Sequence, residues 1–140
     1  MKPPTFYKFI DANLIMYSLG SHHPLREPCR EFLKKIKDGL IQVITNTEVL
    51  QEILYRFFSI KKPSLAALAY TSLVEICVEI LPVTHKDMDL ALELLKKYPE
   101  ITSRDAVHAA TMINCEIREI LSADSHFDLI PEIRRISPER

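Results

Sequence analysis

Asp11 and Asp124 occupy positions that call for a chemical explanation. Asp11 follows the apolar run Phe9-Ile10, and Asp124 follows Ile120-Leu121-Ser122-Ala123. A carboxylate at the C-terminal end of a buried strand is costly unless something there needs charge, and in open α/β sheets that end is where ligands bind. Two further acids extend the pattern. Glu52 lies beside Val49 and Ile53, at the edge of an apolar helical face, and Asp105 follows Thr102 by three residues at a helix start. Each acid alone has an ordinary structural use. Asp11 suits a helix cap, Asp124 an Asx-turn, Asp105 one half of a capping box, and Glu52 a surface pair with Arg56. Together they would converge on one crevice, where each pair about 4 Å apart repels by roughly 4 kcal/mol at an effective dielectric near 20. A divalent cation relieves that repulsion. Carboxylate oxygens and waters, with no Cys or His, form the ligand set of Mg²⁺ or Mn²⁺.

The elements that must carry these acids follow from the hydrophobic pattern. Residues 7–10 read as a first, central strand, and 12–19 as a short helix closed by Gly20. After a polar loop, 28–37 has helical spacing at Cys29, Phe32, Leu33 and Ile36. Residues 40–45 form a β-branched strand. Thr45 and Glu48 are spaced as a capping box for the helix that carries Val49 to Phe58. Residues 61–64 are a break before a helix to about 77, and 78–83 is the third strand. Thr84 caps a helix over 85–98. Residues 103–115 form a small-residue helix suited to close packing on a sheet, 120–123 a fourth strand, 124–131 a loop or single turn, and 133–136 a short edge strand. Strands alternating with helices imply a parallel sheet covered on both faces.

The composition narrows the class. The chain has 140 residues, 47% of them hydrophobic, which suits one domain over 1–140. Two glycines argue against a phosphate-binding glycine loop or a tightly turned barrel. The net charge of −1 gives no general basic excess. Cys29, Cys77 and Cys115 lack paired spacing and read as reduced core thiols of a cytoplasmic protein. No signal peptide is read at 1–10, which is short and holds Pro3-Pro4. The apolar stretch over 65–83 is interrupted by Glu75 and Glu79, so it reads as a buried helix leading into a strand rather than a membrane span.

Four segments carry a family resemblance: Phe9 to Asn13, Thr47 to Leu54, Thr102 to Ala110, and Leu121 to Asp128. In this order they resemble the PIN domain family, and in particular the VapC-type toxins of prokaryotic toxin–antitoxin pairs. The resemblance implies a three-layer α/β/α sandwich around a mostly parallel sheet of about five strands. It also implies a metal-dependent endoribonuclease using Mg²⁺, or Mn²⁺, with Asp11, Glu52, Asp105 and Asp124 as its acids. Asp128 matches a further, outer acid. Asn13 and Ser122 match small polar positions that orient Asp11 and Asp124. In the implied chemistry, metal-bound water hydrolyses a phosphodiester. Asp11 and Asp105 are the main inner ligands, and Glu52 and Asp124 hold a second ion or the water. His108 is expected to be a packed histidine, and His126, His22 and His23 loop residues. The implied partners are RNA, a cognate antitoxin and a second copy of the chain, with no membrane. Two alternatives stand: an inactive PIN-like module that only binds RNA or a partner, and an aspartate-based phosphohydrolase. The second expects another Asp where the chain has Asn13, and a Lys after a late strand.

Overall fold

The computed structural model describes residues 6–139, so Pro3-Pro4 lies outside the described residues. Five strands form one sheet: β1 Lys8–Ile10, β2 Val43–Asn46, β3 Cys77–Leu81, β4 Glu119–Leu121 and β5 Arg134–Ile136. All neighbouring strands are parallel, in the order β3-β2-β1-β4-β5. Six helices connect and cover them: α1 Ala12–Leu19, α2 Arg26–Lys37, α3 Thr47–Ser59, α4 Pro63–Ile76, α5 His85–Lys97 and α6 Ser103–Asn114. The result is a three-layer α/β/α sandwich. A 3-10 segment, Ser125–Leu129, follows β4.

The topology makes the site. From β1 the chain adds β2 and then β3 on one side, and returns to add β4 and β5 on the other. The winding therefore reverses between β1 and β4, and the crevice beyond their C-terminal ends is the place where such sheets bind ligands. Ile10 is in register with Leu121, so the residues leaving both strands enter that crevice together. Phe9, Ile10, Ile120 and Leu121 are almost completely buried and fix the two strands at the centre of the core. Ala106, Ala109 and Ala110 are buried on α6, where small side chains permit close packing. The helix α6 also packs along α5, while α1 packs on α2, α3 and α4.

Several boundaries differ from the sequence reading for local reasons. Strand β2 starts at Val43, because the chain leaves α2 through Gly39 at φ +80° and leaves Leu40 exposed. Helix α3 is capped by Asn46 rather than Thr45. The Asn46 side chain accepts from the Val49 amide, whereas the Thr45 hydroxyl donates to the Ile10 carbonyl. Pro63, read as part of a break, is the first residue of α4, where its missing N–H costs nothing. The stretch over 65–83 is α4 running into β3, and no helix among the described residues is long and apolar enough to cross a membrane. The cysteines are free thiols, but only Cys29 is buried, and Cys115 is exposed at the end of α6.

Candidate active site

Asp11 is the first residue beyond β1 and caps α1. Its backbone N–H donates to the Leu121 carbonyl at 3.0 Å, so β4 holds it in place. Asp11 Oδ1 accepts from the Ala12 amide at 2.7 Å. Asp11 Oδ2 accepts from the Ser122 hydroxyl at 2.7 Å and, more weakly, from Asn13 Nδ2 at 3.4 Å. Ser122 also accepts from the Asp124 amide at 3.0 Å, so one buried hydroxyl ties the acid after β1 to the acid after β4. Asn13 completes the link by donating to Ser122 Oγ at 3.2 Å and accepting from the Ala123 amide at 3.2 Å.

The four expected acids, Asp11, Glu52, Asp105 and Asp124, line one cleft of about 620 Å³ with a fifth, Glu48, and with Asn13, Arg104 and His108. Within it the donor atoms form two groups. Oxygens of Asp11 and Glu52 with a nitrogen of His108 lie within 4.8 Å of one another, as do those of Asp105, Asp124 and His126. The grouping differs from the expected pairing of Asp11 with Asp105 and of Glu52 with Asp124. The reason is topological. Helix α3 follows β2, the neighbour of β1, and so brings Glu52 to Asp11. The start of α6 lies across the cleft, nearer the turn after β4.

Asp105 has both of the uses open to it. Its side chain accepts from the Thr102 amide at 3.1 Å and Thr102 Oγ1 accepts from the Asp105 amide at 3.1 Å, a complete capping box. The same carboxylate faces Asp124 and His126 and is only 6% exposed. Burial pushes the Asp105 carboxyl above the usual carboxylate range; the Thr102 hydrogen bonds pull it back and the Asp124 charge raises it further. Burial likewise raises Asp11, where His108 opposes the rise and Glu52 adds to it. Both shifts reflect negative charge held out of water without enough compensation.

The histidines are the residues that sequence reasoning undervalued. His108 is packed, as expected, but it is packed against acids. Its Nε2 lies 2.6 Å from Glu52 Oε1 and 3.8 Å from Asp11 Oδ1. Asn46 fixes the tautomer. Asn46 Oδ1 is committed to the Val49 amide, so its NH₂ faces outward, donating to Thr111 Oγ1 at 3.0 Å and into His108 Nδ1 at 3.2 Å. Nδ1 is therefore an acceptor and the ring proton sits on Nε2, donated to Glu52. Burial disfavours the imidazolium, while the Glu52 hydrogen bond and the acids around it raise the His108 pKa. The acids outweigh burial, so the His108 pKa lies above its ordinary value. His126 Nδ1 lies 3.1 Å from Asp105 Oδ2 and 3.3 Å from Asp124 Oδ1. Its spacing, two residues beyond Asp124 in a turn, was the available signal. Asn46 was visible only as a helix-start residue.

Arg104, half-exposed, reaches over the mouth of the cleft to within 3.7 Å of both Glu48 and Glu52. Asp128 is not among the residues lining the cleft. Its carboxylate receives Arg135 Nε and Nη2 at 3.0 Å each, and Arg135 Nη1 donates to the Ser122 carbonyl at 3.2 Å. Asp128 is thus linked to the backbone at Ser122 only through Arg135.

Comparison with known proteins agrees with this arrangement. The PIN domain pattern matches residues 8–133, nearly the whole chain. The chain belongs to the PIN domain family. It is 32% identical over 128 residues to the VapC ribonuclease Mb1869c of Mycobacterium bovis, covering 91% of this chain and 98% of that one. Among solved structures, the Mycobacterium tuberculosis toxin VapC20, which cleaves the sarcin-ricin loop, superposes with a TM-score of 0.75 at 19% identity, covering 90% of this chain and 98% of that one. VapBC2 of Rickettsia felis, bound to a DNA fragment from its promoter, gives 0.71 at 16% identity, covering 94% and 98%. The crevice beyond β1 and β4 is thus an acidic cleft on a chain of PIN-domain fold.

Proposed function

We propose that this chain is a metal-dependent endoribonuclease, using Mg²⁺ or Mn²⁺ to hydrolyse RNA phosphodiester bonds. We further propose that it is the toxin of a toxin–antitoxin pair and acts in the cytoplasm. The observation that carries the reading is the pair of acid groups in one cleft, joined through Ser122. The donor set fits hard cations: carboxylate oxygens dominate, and Asp11 and Asp105 are strained electrostatically by burial. The relatives named above, a VapC ribonuclease and a toxin that cleaves the sarcin-ricin loop, support the same substrate class.

Bound divalent ions would lower the pKa of a water and neutralise charge growing on the phosphate. The chain's own residues hold the frame for that chemistry. Asp11, Glu52, Asp105 and Asp124 are the proposed ligands. Asn13 and Ser122 hold Oδ2 of Asp11 while the Ala12 amide holds Oδ1, so that one carboxylate face stays directed at the cleft. His108 aims Glu52, and Asn46 aims His108. Arg104 is free to swing from Glu48 and Glu52 toward a phosphate, being held to them only at 3.7 Å.

The aspartate-based phosphohydrolase fits less well. No lysine lines the cleft among the described residues, and both Asp11 oxygens already accept hydrogen bonds. Exposed Leu54 and Phe58 on α3, which do not line the groove beside the cleft, support a protein contact, which we assign to a homodimer or an antitoxin. The test is incubation of the purified chain with structured RNAs in Mg²⁺ or in EDTA, beside Asp11→Asn and Asp105→Asn. Cleavage is expected only for the unaltered chain with metal. Equal cleavage by all three proteins would overturn the assignment.

A further inference from the structure

A second groove, of about 440 Å³, opens beside the acidic cleft and shares Asn13, Glu52 and Arg104 with it as a common wall. Its other walls differ in character. Helix α3, which delivers Glu52 to the cleft, delivers Tyr55 and Arg56 to the groove, three and four residues further on and so on the same helical face. Arg56 lies about 6 Å beyond Glu52 along the helix axis. Lys62 joins it from the turn into α4. Among the described residues, neither the Arg56 nor the Lys62 side chain makes an ion pair or hydrogen bond. Arg30, Lys34, Arg134 and Arg135, by contrast, are taken up by Glu27, Asp38, Glu119 and Asp128. Ring faces complete the groove. Tyr17 stacks on His23 at 4.4 Å, and Tyr55 is 62% exposed.

We infer that this groove is a nucleotide subsite of the same centre, receiving the RNA strand that leads away from the scissile phosphate. The inference rests on the nuclease reading of the cleft. The charge pattern selects the ligand. The cleft carries five acids against the single cation Arg104, so it holds a phosphate mainly through added cations. The groove next to it carries Arg56, Lys62 and Arg104 against the single acid Glu52. A polyanion crossing from one to the other meets bound ions at the reacting phosphate and fixed cations at its neighbour. The exposed Tyr55 ring offers stacking for an unpaired base, which tolerates sequence because every base has a π-face. The groove volume falls within the range that small-molecule sites span, enough for a nucleotide. Free cations along the wall favour a polyanion over an apolar helix as the occupant.

The test is fluorescence anisotropy with a fluorescein-labelled, mixed-sequence 12-nucleotide single-stranded RNA, in EDTA so that nothing is cleaved. The unaltered chain is compared with Arg56→Ala/Lys62→Ala, Arg56→Lys and Tyr55→Ala. Two lost phosphate contacts on a single strand lower the slope of log affinity against log salt by about 1.4. Taken from 1 M salt, where that contribution vanishes, this is roughly 25-fold weaker binding at 0.1 M. Arg56→Lys keeps the slope. Tyr55→Ala keeps the slope but binds about fivefold or more weakly, from lost stacking. Melting temperatures stay unchanged, since all three side chains are exposed. Absent binding by the unaltered chain, or an unchanged slope and affinity in the double variant, overturns the inference and leaves the groove to a protein partner. Cleavage is scored separately. Mg²⁺-dependent cleavage with unchanged variant binding removes the subsite and keeps the nuclease. Charge-dependent binding without any cleavage removes the nuclease and keeps an RNA groove.

Discussion

Replacing Asp105 with Asn separates the two uses of that side chain. The amide oxygen can still accept from the Thr102 N–H, so the capping box survives. What disappears is one negative charge facing Asp124, in a group whose donor atoms lie within 4.8 Å of one another. Two full charges at that separation repel by about 3.5 kcal/mol at an effective dielectric of 20, and by about 0.9 kcal/mol in water. The Asp124 side chain is 32% exposed, which places the pair between these limits, near ~2 kcal/mol. Loss of an acid from the first turn of α6 offsets roughly 0.3–1 kcal/mol through the helix dipole. Asp105→Asn should therefore stabilise the metal-free chain by about 1 kcal/mol, a rise of about 3 °C in melting temperature for a domain of this size. The assay is thermal unfolding followed by circular dichroism at pH 8 in EDTA, repeated with Mg²⁺. The unaltered chain should gain stability with Mg²⁺ by linkage, about 2.7 kcal/mol at 100 times Kd, and the variant should lose most of that gain. A lower metal-free melting temperature in the variant would refute the reasoning, because it would mean that the cap outweighs the repulsion.

Three further outcomes follow from the same geometry. Asn46→Ala removes the α3 cap and leaves His108 Nδ1 buried without its donor, so it should destabilise the fold by about 2–3 kcal/mol in urea titration. The metal-free chain should also gain stability as pH falls. Folding raises the pKa of Asp11 and Asp105 above 3.8, so the folded state takes up protons more readily, and their contribution is fully present below 3.8 and lost as pH rises through the raised values. Melting in EDTA between pH 8 and pH 5 checks this, and a falling melting temperature attributable to these groups would contradict it. Asp128→Asn breaks the fork with Arg135 at a half-exposed position, so it should change stability by less than about 1 kcal/mol and leave Mn²⁺ affinity nearly unchanged in a calorimetric titration.

The sequence was most legible where local pattern and long-range placement coincide. An apolar run ending in Asp marks a strand end wherever it occurs, and Asp11 and Asp124 lie just beyond β1 and β4. The short helix read at 12–19, closed by Gly20, is α1, and the Thr84 and Thr102 caps are local signals that the structure contains. What could not be read depends on contacts distant in sequence. Thr45 and Asn46 are both good cap residues, and the choice was made by the Ile10 carbonyl, which occupies the Thr45 hydroxyl. His126 meets Asp105 from 21 residues away, and His108 meets Glu52 from 56. Neither pairing has a local spacing. Asp128 has the sequence position of a site acid, yet Arg135 from β5 claims both its oxygens.

The most direct measurement is an anomalous difference map, collected above the manganese edge, from crystals of the full chain grown with Mn²⁺. Strong density between Asp11 and Glu52, or between Asp105 and Asp124, and absent from Asp11→Asn/Asp105→Asn crystals, is the expected result. A cleft that stays empty of manganese while all four carboxylates face it would contradict a cation-dependent centre.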